Sequence, residues 1–244
     1  MSIQGLAIDS DVESTNTDTL GGSFIKPTGL YPVMVDMAYL SKSVGGAMAL
    51  NLHLKQVDGD RSIIRQTLWV TSGDKKGNKN YYVGQDGKKR LLPGMIQGDQ
   101  IALIATGKHL GVLSTEEKTI KLWDFESSAE KPTKVNAVTE MIGKPLLIAV
   151  IKNRSNKVKK DSNGVYVDQP EERFSNELDK IFYPDGFSVT EKAAEAAEPL
   201  FHKKWADKYD ANFINDQYKD VAGTTDADAL PEAAVSTDSL FDED

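Results

Sequence analysis

Between Tyr31 and Thr71 apolar side chains recur at every second residue, and a period of two commits a chain to β-sheet with one face buried. The first run puts Tyr31, Val33, Val35, Met37 and Tyr39 on one side of a strand. Gly45-Gly46 turns the chain, after which Met48, Leu50, Leu52 and Leu54 oppose Ala47, Ala49, Asn51, His53 and Lys55. Val57-Asp58-Gly59-Asp60 supplies the Asp-Gly pair of a tight antiparallel connection. A third run, Ile63 to Thr71, sets Ile64, Leu68 and Val70 against Ile63, Arg65, Thr67 and Trp69, and Gln66 spoils the apolar face. Everything else must pack around this three-stranded meander.

The hydrophilic stretch Ser72 to Arg90, SGDKKGNKNYYVGQDGKKR, reads as a loop or a protruding hairpin. From Met95 to Leu110 the residues Ile96, Ile101, Leu103, Ile104 and Leu110 have helical spacing, although Gly98 and Gly107 weaken it. Strand patterns return at Thr119–Phe125, Lys134–Met141, Leu146–Asn153 and Val165–Phe174, the third continuously apolar and so expected to be covered on both faces. Ser188-Val189-Thr190-Glu191 is a capping box that opens a helix. Phe201, Trp205 and Tyr209 continue its apolar stripe past Pro199, which is expected to kink or split it, and the stripe is expected to dock on the body. No repeat period of 20–50 residues occurs.

Meander, helix, then more strands is the order of a mainly β chain. It predicts an OB-fold-like five-stranded Greek-key barrel with enlarged loops and a helix between strands 3 and 4. An SH3-like barrel and an irregular β-sandwich are the alternatives. The expected division is a flexible leader at 1–22, the barrel at 23–186, a helical extension packed on it at 187–219, and an acidic tail at 220–244.

That tail holds eight carboxylates and no Lys or Arg, and it closes on Leu240-Phe241-Asp242-Glu243-Asp244. The 37 acids less these eight leave 29 in residues 1–219, equal to all 29 Lys and Arg, so the net charge of −8 belongs to the tail. Small and polar residues fill it, which predicts disorder. A flexible polyanion ending in an apolar pair suits two tasks, competing for a cationic groove on its own protein or hooking a partner. The absence of Cys excludes a disulfide framework, a thiolate metal site and a Cys nucleophile. His53, His109 and His202 are too far apart in sequence to read as a ligand pair, and no metal or cofactor is expected. No nucleotide-binding glycine loop, nucleophile elbow or zinc motif appears, so an enzyme is not expected. The longest apolar run, Leu146 to Ile151, is far short of a membrane span, and the start lacks a secretory pattern, so the expectation is a soluble cytoplasmic protein with no membrane partner.

Basic residues interleaved with aromatics are the positive signal. Lys75, Lys76, Lys79, Lys88, Lys89 and Arg90 flank Tyr81 and Tyr82, opposed only by Asp74 and Asp86. Cations that track phosphates beside rings that stack on bases are what single-stranded nucleic acid requires. Arg65 and Trp69 add to this on the third strand, with Thr67 between them. A second cluster, Lys152, Arg154, Lys157, Lys159 and Lys160, follows the buried strand and reads as a finger able to close over a bound strand. Lys121 with Trp123 is a weaker pair of the same kind.

With these residues in view the chain resembles the single-stranded DNA-binding proteins of tailed bacteriophages. The likeness is carried by Gly29 to Val35, Ala47 to Lys55, the basic excursion, Leu146 to Lys160 and the acidic end with Phe241. The resemblance implies an OB fold that coats single-stranded DNA without sequence preference in replication and recombination. It further implies a tail that recruits replication or recombination proteins through Asp238, Leu240, Phe241, Asp242, Glu243 and Asp244. Self-association into a homo-oligomer is compatible with it. Family members often end on an aromatic residue, whereas here three acids follow Phe241. Rival readings are a phage structural or assembly protein with a β-barrel interaction module, a strand-annealing mediator, and a hydrolase.

Overall fold

A computed structural model of the chain describes residues 25–58, 62–124, 127–162 and 165–221. The leader expected at 1–22 and the tail from 222 onward, with Asp238, Leu240, Phe241, Asp242, Glu243 and Asp244, lie outside the described residues, as do Gly59 and Asp60 of the Asp-Gly turn.

The protein is mainly β. Strands β1 (Gly29–Lys42), β2 (Met48–Gln56) and β3 (Ile63–Trp69) form the expected antiparallel meander, with β1 paired from Val33 opposite Gln56 to Lys42 opposite Met48. A short hairpin follows, β4 (Tyr81–Val83) with β5 (Lys89–Leu91), and then helix α1 (Pro93–Thr106). A long ribbon of β6 (Glu116–Asp124) and β7 (Ala129–Ala137) precedes β8 (Pro145–Lys160) and β9 (Tyr166–Phe182). Short helices α2 (Val189–Ala193) and α3 (Phe201–Lys208) and strand β10 (Ile214–Asp216) complete the described chain. The main sheet runs β10-β8-β1-β2-β3; β7 joins it through the end of β1, where Tyr39 faces Ala137, and β9 pairs with β8. β3 ends the path, so the sheet is open rather than closed into a ring of ladders.

The core is the inward face of the meander. Leu50, Leu52, Leu54, Ile64, Leu68 and Val70 are buried with Val33, Val35, Leu146, Ile148 and Val150, and α1 adds Ile101 and Ala102. A fully buried Leu contributes on the order of 1.5–3 kcal/mol, so the leucine row of β2 is a main anchor. Gly98, which weakens the helix pattern in sequence, sits where α1 meets β2 and β3. A Cβ there would approach Leu110 at 3.2 Å and Leu50 at 3.4 Å. α1 starts on Pro93 and ends at Gly107 in the left-handed region, whose N–H donates to the Leu103 carbonyl. β8 is covered on both faces as its continuous apolar run predicts. Leu146, Ile148 and Val150 enter the main core, while Ala149 packs with Phe182 and Trp205.

One expectation fails in phase. The alternation Tyr31, Val33, Val35, Met37, Tyr39 is broken by a bulge, because Val35 faces Leu54 and Met37 faces His53, leaving Asp36 without its own partner. The side-chain period slips by one residue there. Ala38 therefore joins the main core, and Tyr39 falls on the opposite face, where it is still buried and meets the His53 ring edge-on at 6.0 Å. The helix expected from Ser188 is split at Pro199. Ser188 and Glu191 form the capping box, and Glu191 Oε1 also accepts from the N–H groups of Leu200 (3.0 Å) and Phe201 (2.7 Å), tying the two short helices together. Trp205 docks as expected, buried, with its indole N–H donating to Asp179 Oδ2 at 2.6 Å.

The chain divides into two compact units, of which the described parts are 25–153 with 174–215, and 154–173 with 216–221. β8 and β9 contribute residues to both.

Candidate nucleic-acid interface

β3 presents Arg65, Thr67 and Trp69 outward, because Ile64, Leu68 and Val70 take the core positions. The chain leaving β3 is fastened at its base: the Ser72 N–H donates to the Lys79 carbonyl (2.8 Å), and the Asp74 N–H to the Gly45 carbonyl (2.8 Å). This closes a loop whose 3-10 turn, Asp74–Lys76, ends at Gly77 in the left-handed region. Asn78, also left-handed, donates its side-chain amide to Asp74. The loop thus holds Lys75, Lys76 and Lys79 on a braced frame, and the β4–β5 hairpin rises from it with Tyr82 opposite Arg90. α1 begins immediately under β3. A Cβ on Gly94 would fall 2.4 Å from the Trp69 carbonyl oxygen, so only glycine permits this approach.

Together these elements enclose an open cleft of about 1020 Å³ within the larger unit. Thr67 and Trp69 line it from β3, Lys75, Lys76 and Lys79 from the loop, Tyr81 and Tyr82 from the hairpin, Gln97 from α1 and Leu178 from β9. Trp69 and Tyr82 are each 47% exposed. The Tyr81 ring lies between two ammonium groups, Lys79 at 5.6 Å and Lys89 at 5.0 Å from its centroid. Among the described residues no carboxylate forms an ion pair with Lys75, Lys76, Lys79, Lys88 or Lys89, while Arg90 is held by Asp86 at 2.7 Å. Among the described residues Glu177 is the one acid in the wall, and it accepts from the Asn153 amide at 2.7 Å. Arg65 is outside the cleft lining; it faces His53 on β2, whose pKa is pushed down first by burial and then by the Arg65 charge.

None of the second predicted cluster is among the described residues that line this cleft. Lys152, in the larger unit, lies over the Phe174 ring at 4.8 Å. In the smaller unit Arg154 is clamped by Glu172 (2.5 Å) and Asp216 (2.9 Å) and stacks on Tyr218 at 4.6 Å. The Glu172 and Asp216 hydrogen bonds hold its pKa above the ordinary guanidinium value. Lys157 and Lys159 are exposed, and Lys160 lies over Tyr166 at 5.2 Å. Lys121 and Trp123 sit on the β6–β7 ribbon, also outside the cleft lining.

Sequence reasoning missed Gln66, Gln97 and Leu178. Gln66, the polar residue that spoils the inward face of β3, donates to the Asn176 carbonyl (3.1 Å) and accepts from the Leu178 N–H (3.5 Å), while Gln97 donates to the Leu178 carbonyl (2.7 Å). Gln66 itself was the available signal, since a polar residue at a core phase needs partners. Nothing near Leu178 marks its backbone as the donor to Gln66 and the acceptor from Gln97. Among the described residues no cluster of His, Asp and Glu is arranged to hold a metal ion, and none of the titratable groups with a displaced pKa lines the cleft. No described helix is long and apolar enough to cross a membrane. No protein-family model matches the chain, and no curated protein matches it.

Proposed function

We propose that this chain binds single-stranded DNA without sequence preference, in the manner of the phage proteins it resembles, and protects it during replication and recombination. One observation carries the reading: a single cleft gathers three aromatic rings, Trp69, Tyr81 and Tyr82, with three lysines that have no ion-pair partner among the described residues. Base faces stack on rings of any neighbour, and ammonium groups meet phosphates of any sequence, so such a cleft favours strand type over sequence. The finer fold reading, an OB barrel of β1, β2, β3, β8 and β9, draws support from α1 lying between β3 and β8 and from β8 running antiparallel to β1. At the seam between β3 and β9 the Gln66 side chain supplies hydrogen bonds in place of a ladder. β4–β5 and β6–β7 are then the enlarged loops.

The acids of the tail compete with DNA for the cleft, and Leu240-Phe241 is the hook for replication or recombination proteins. Tethering gives the tail an effective concentration in the millimolar range. Neutralising about five phosphates gives a slope of log K against log salt near −3.5 for a single strand. Titrating intrinsic Trp fluorescence with oligo-dT tests the reading. Quenching with that salt slope, weakened by Tyr81→Ala and Tyr82→Ala and tightened at low salt by removing residues 220–244, is the expected result. Titration curves that ignore both tyrosines exclude this cleft. A protein-interaction module of a phage structural or assembly protein is the second reading. It is favoured by the β6–β7 ribbon, where Glu117–Lys134 and Asp124–Lys131 ion pairs leave little net charge around a 55% exposed Trp123.

A further inference from the structure

The groove beside α3 is chemically unlike the cleft. Two cavities, of about 350 and 460 Å³, meet at Lys180, Phe201 and Lys204, and Lys208 lines the first. Leu200 and Phe201, at the start of α3, are 47% and 40% exposed. The facing acids are mostly committed: Asp179 holds Lys180 at 2.7 Å and the Trp205 indole at 2.6 Å, and Glu191 holds the backbone N–H groups of Ser188, Leu200 and Phe201. Glu198 also lines the second cavity. Among the described residues Lys204 and Lys208 form no ion pair, although Lys208 lies over the Tyr209 ring at 4.8 Å. The groove therefore offers an apolar pair next to two lysines, of which Lys208 is held in its charged form first by the Tyr209 hydroxyl and more weakly by the Asp179 charge. The chain's own end offers the complement, Leu240-Phe241 followed by Asp242-Glu243-Asp244.

We propose that the groove formed by Leu200, Phe201, Lys204 and Lys208 is the dock for the chain's terminal segment Leu240–Asp244, separate from the DNA cleft. The 23 residues from 222 to 244 span up to roughly 75 Å when extended, more than twice the width of a small domain, so reach does not limit docking. Apolar contact with Leu200 and Phe201 seats the hook, and Lys204 and Lys208 meet the three acids. This deepens the tail's part in the proposed function by giving the hook a resting place, and it does not depend on what the cleft binds.

The absence of Cys allows a clean test in the full-length chain: a spin label on Ser236→Cys, with NMR line broadening read at the Trp indoles. Broadening at Trp205, reduced about five-fold by Lys204→Glu with Lys208→Glu as two exposed ion pairs reverse, and persisting under saturating oligo-dT, is the expected result. Broadening at Trp69 that oligo-dT removes, with Trp205 sharp, places the hook in the DNA cleft and overturns the proposal. Sharp signals at both indoles also overturn it. Oligo-dT binding is read separately in the same samples, so failure of the DNA reading leaves the Trp205 result standing.

Discussion

Two regions of this protein combine basic residues with aromatic rings, and they differ in where the carboxylates fall. In the cleft, Lys75, Lys76 and Lys79 stand beside Trp69, Tyr81 and Tyr82 with no ion-pair partner among the described residues. At the base of the β8–β9 hairpin, Arg154 stacks on Tyr218 but is gripped by Glu172 and Asp216. The first arrangement is open to an anionic ligand; the second has already spent its charge internally. A basic run in sequence therefore says little until the acids that close around it are known.

The largest expected effect tests the cleft side directly. Trp69→Ala with Tyr82→Ala removes two stacking faces, and at about 1–3 kcal/mol per stack the oligo-dT affinity falls by about 2–6 kcal/mol. Tyr218→Ala, at the clamped Arg154, leaves the affinity unchanged. Equal losses from the two would erase the distinction. Next comes salt dependence. Replacing Lys75, Lys76 and Lys79 by Ala makes the slope of log K against log salt shallower by about 2, each lost phosphate contact counting about 0.7. Arg154→Ala leaves the slope as it is, and a shift as large as one lysine's would show that the clamp opens to DNA.

What Arg154 does instead is local. Its variant leaves Glu172 and Asp216 unopposed, and the Gln217 N–H, which donates to the Arg154 carbonyl at 2.8 Å, exchanges several-fold faster. Asn156 sharpens the same point. It is 6% exposed and its side chain serves the Gln169 carbonyl and both the carbonyl and N–H of Lys219. Asn156→Leu strands those backbone groups at a cost of about 1–3 kcal/mol in the smaller unit, read by hydrogen exchange at Lys219, with oligo-dT binding intact.

The meander was legible because its leucine and isoleucine rows have a strict period of two, and the cleft's rings and lysines because they are close neighbours in sequence. The bulge at Asp36 was not, since Met37 and Tyr39 continue the apolar alternation by chance of composition while the ladder slips beneath them. The ion pairs of Arg154 are hidden in sequence for the same kind of reason: its partners at 172 and 216 lie 18 and 62 residues away, and only pairing of β8 with β9 and β10 brings them close. Gln66 shows the reverse case, a local irregularity that pointed correctly to a distant partner without naming it.

The smallest effect is a titration. On the sheet beside the cleft, burial and then the Arg65 charge lower the pKa of His53 below the usual imidazole value, against a weaker opposing pull from Asp36. At Arg154 the two carboxylates act in the opposite sense and hold the proton more firmly. The unfolded chain takes up a proton on His53 near pH 6.5, whereas the folded chain resists it. Stability is thus full above that pH and declines as pH falls from about 6.5 toward the folded value. Acid loss at Glu191, Asp185 and Asp216, whose pKa values are lowered by their hydrogen bonds, begins only in the carboxylate range below it. Urea midpoints at pH 7.5 and 5.5 separate the windows: the wild-type chain loses stability between them, and His53→Gln flattens that step. An unchanged step in the variant would mean that the loss between those pH values comes from groups other than His53, and the contrast between the two regions would lose its electrostatic half.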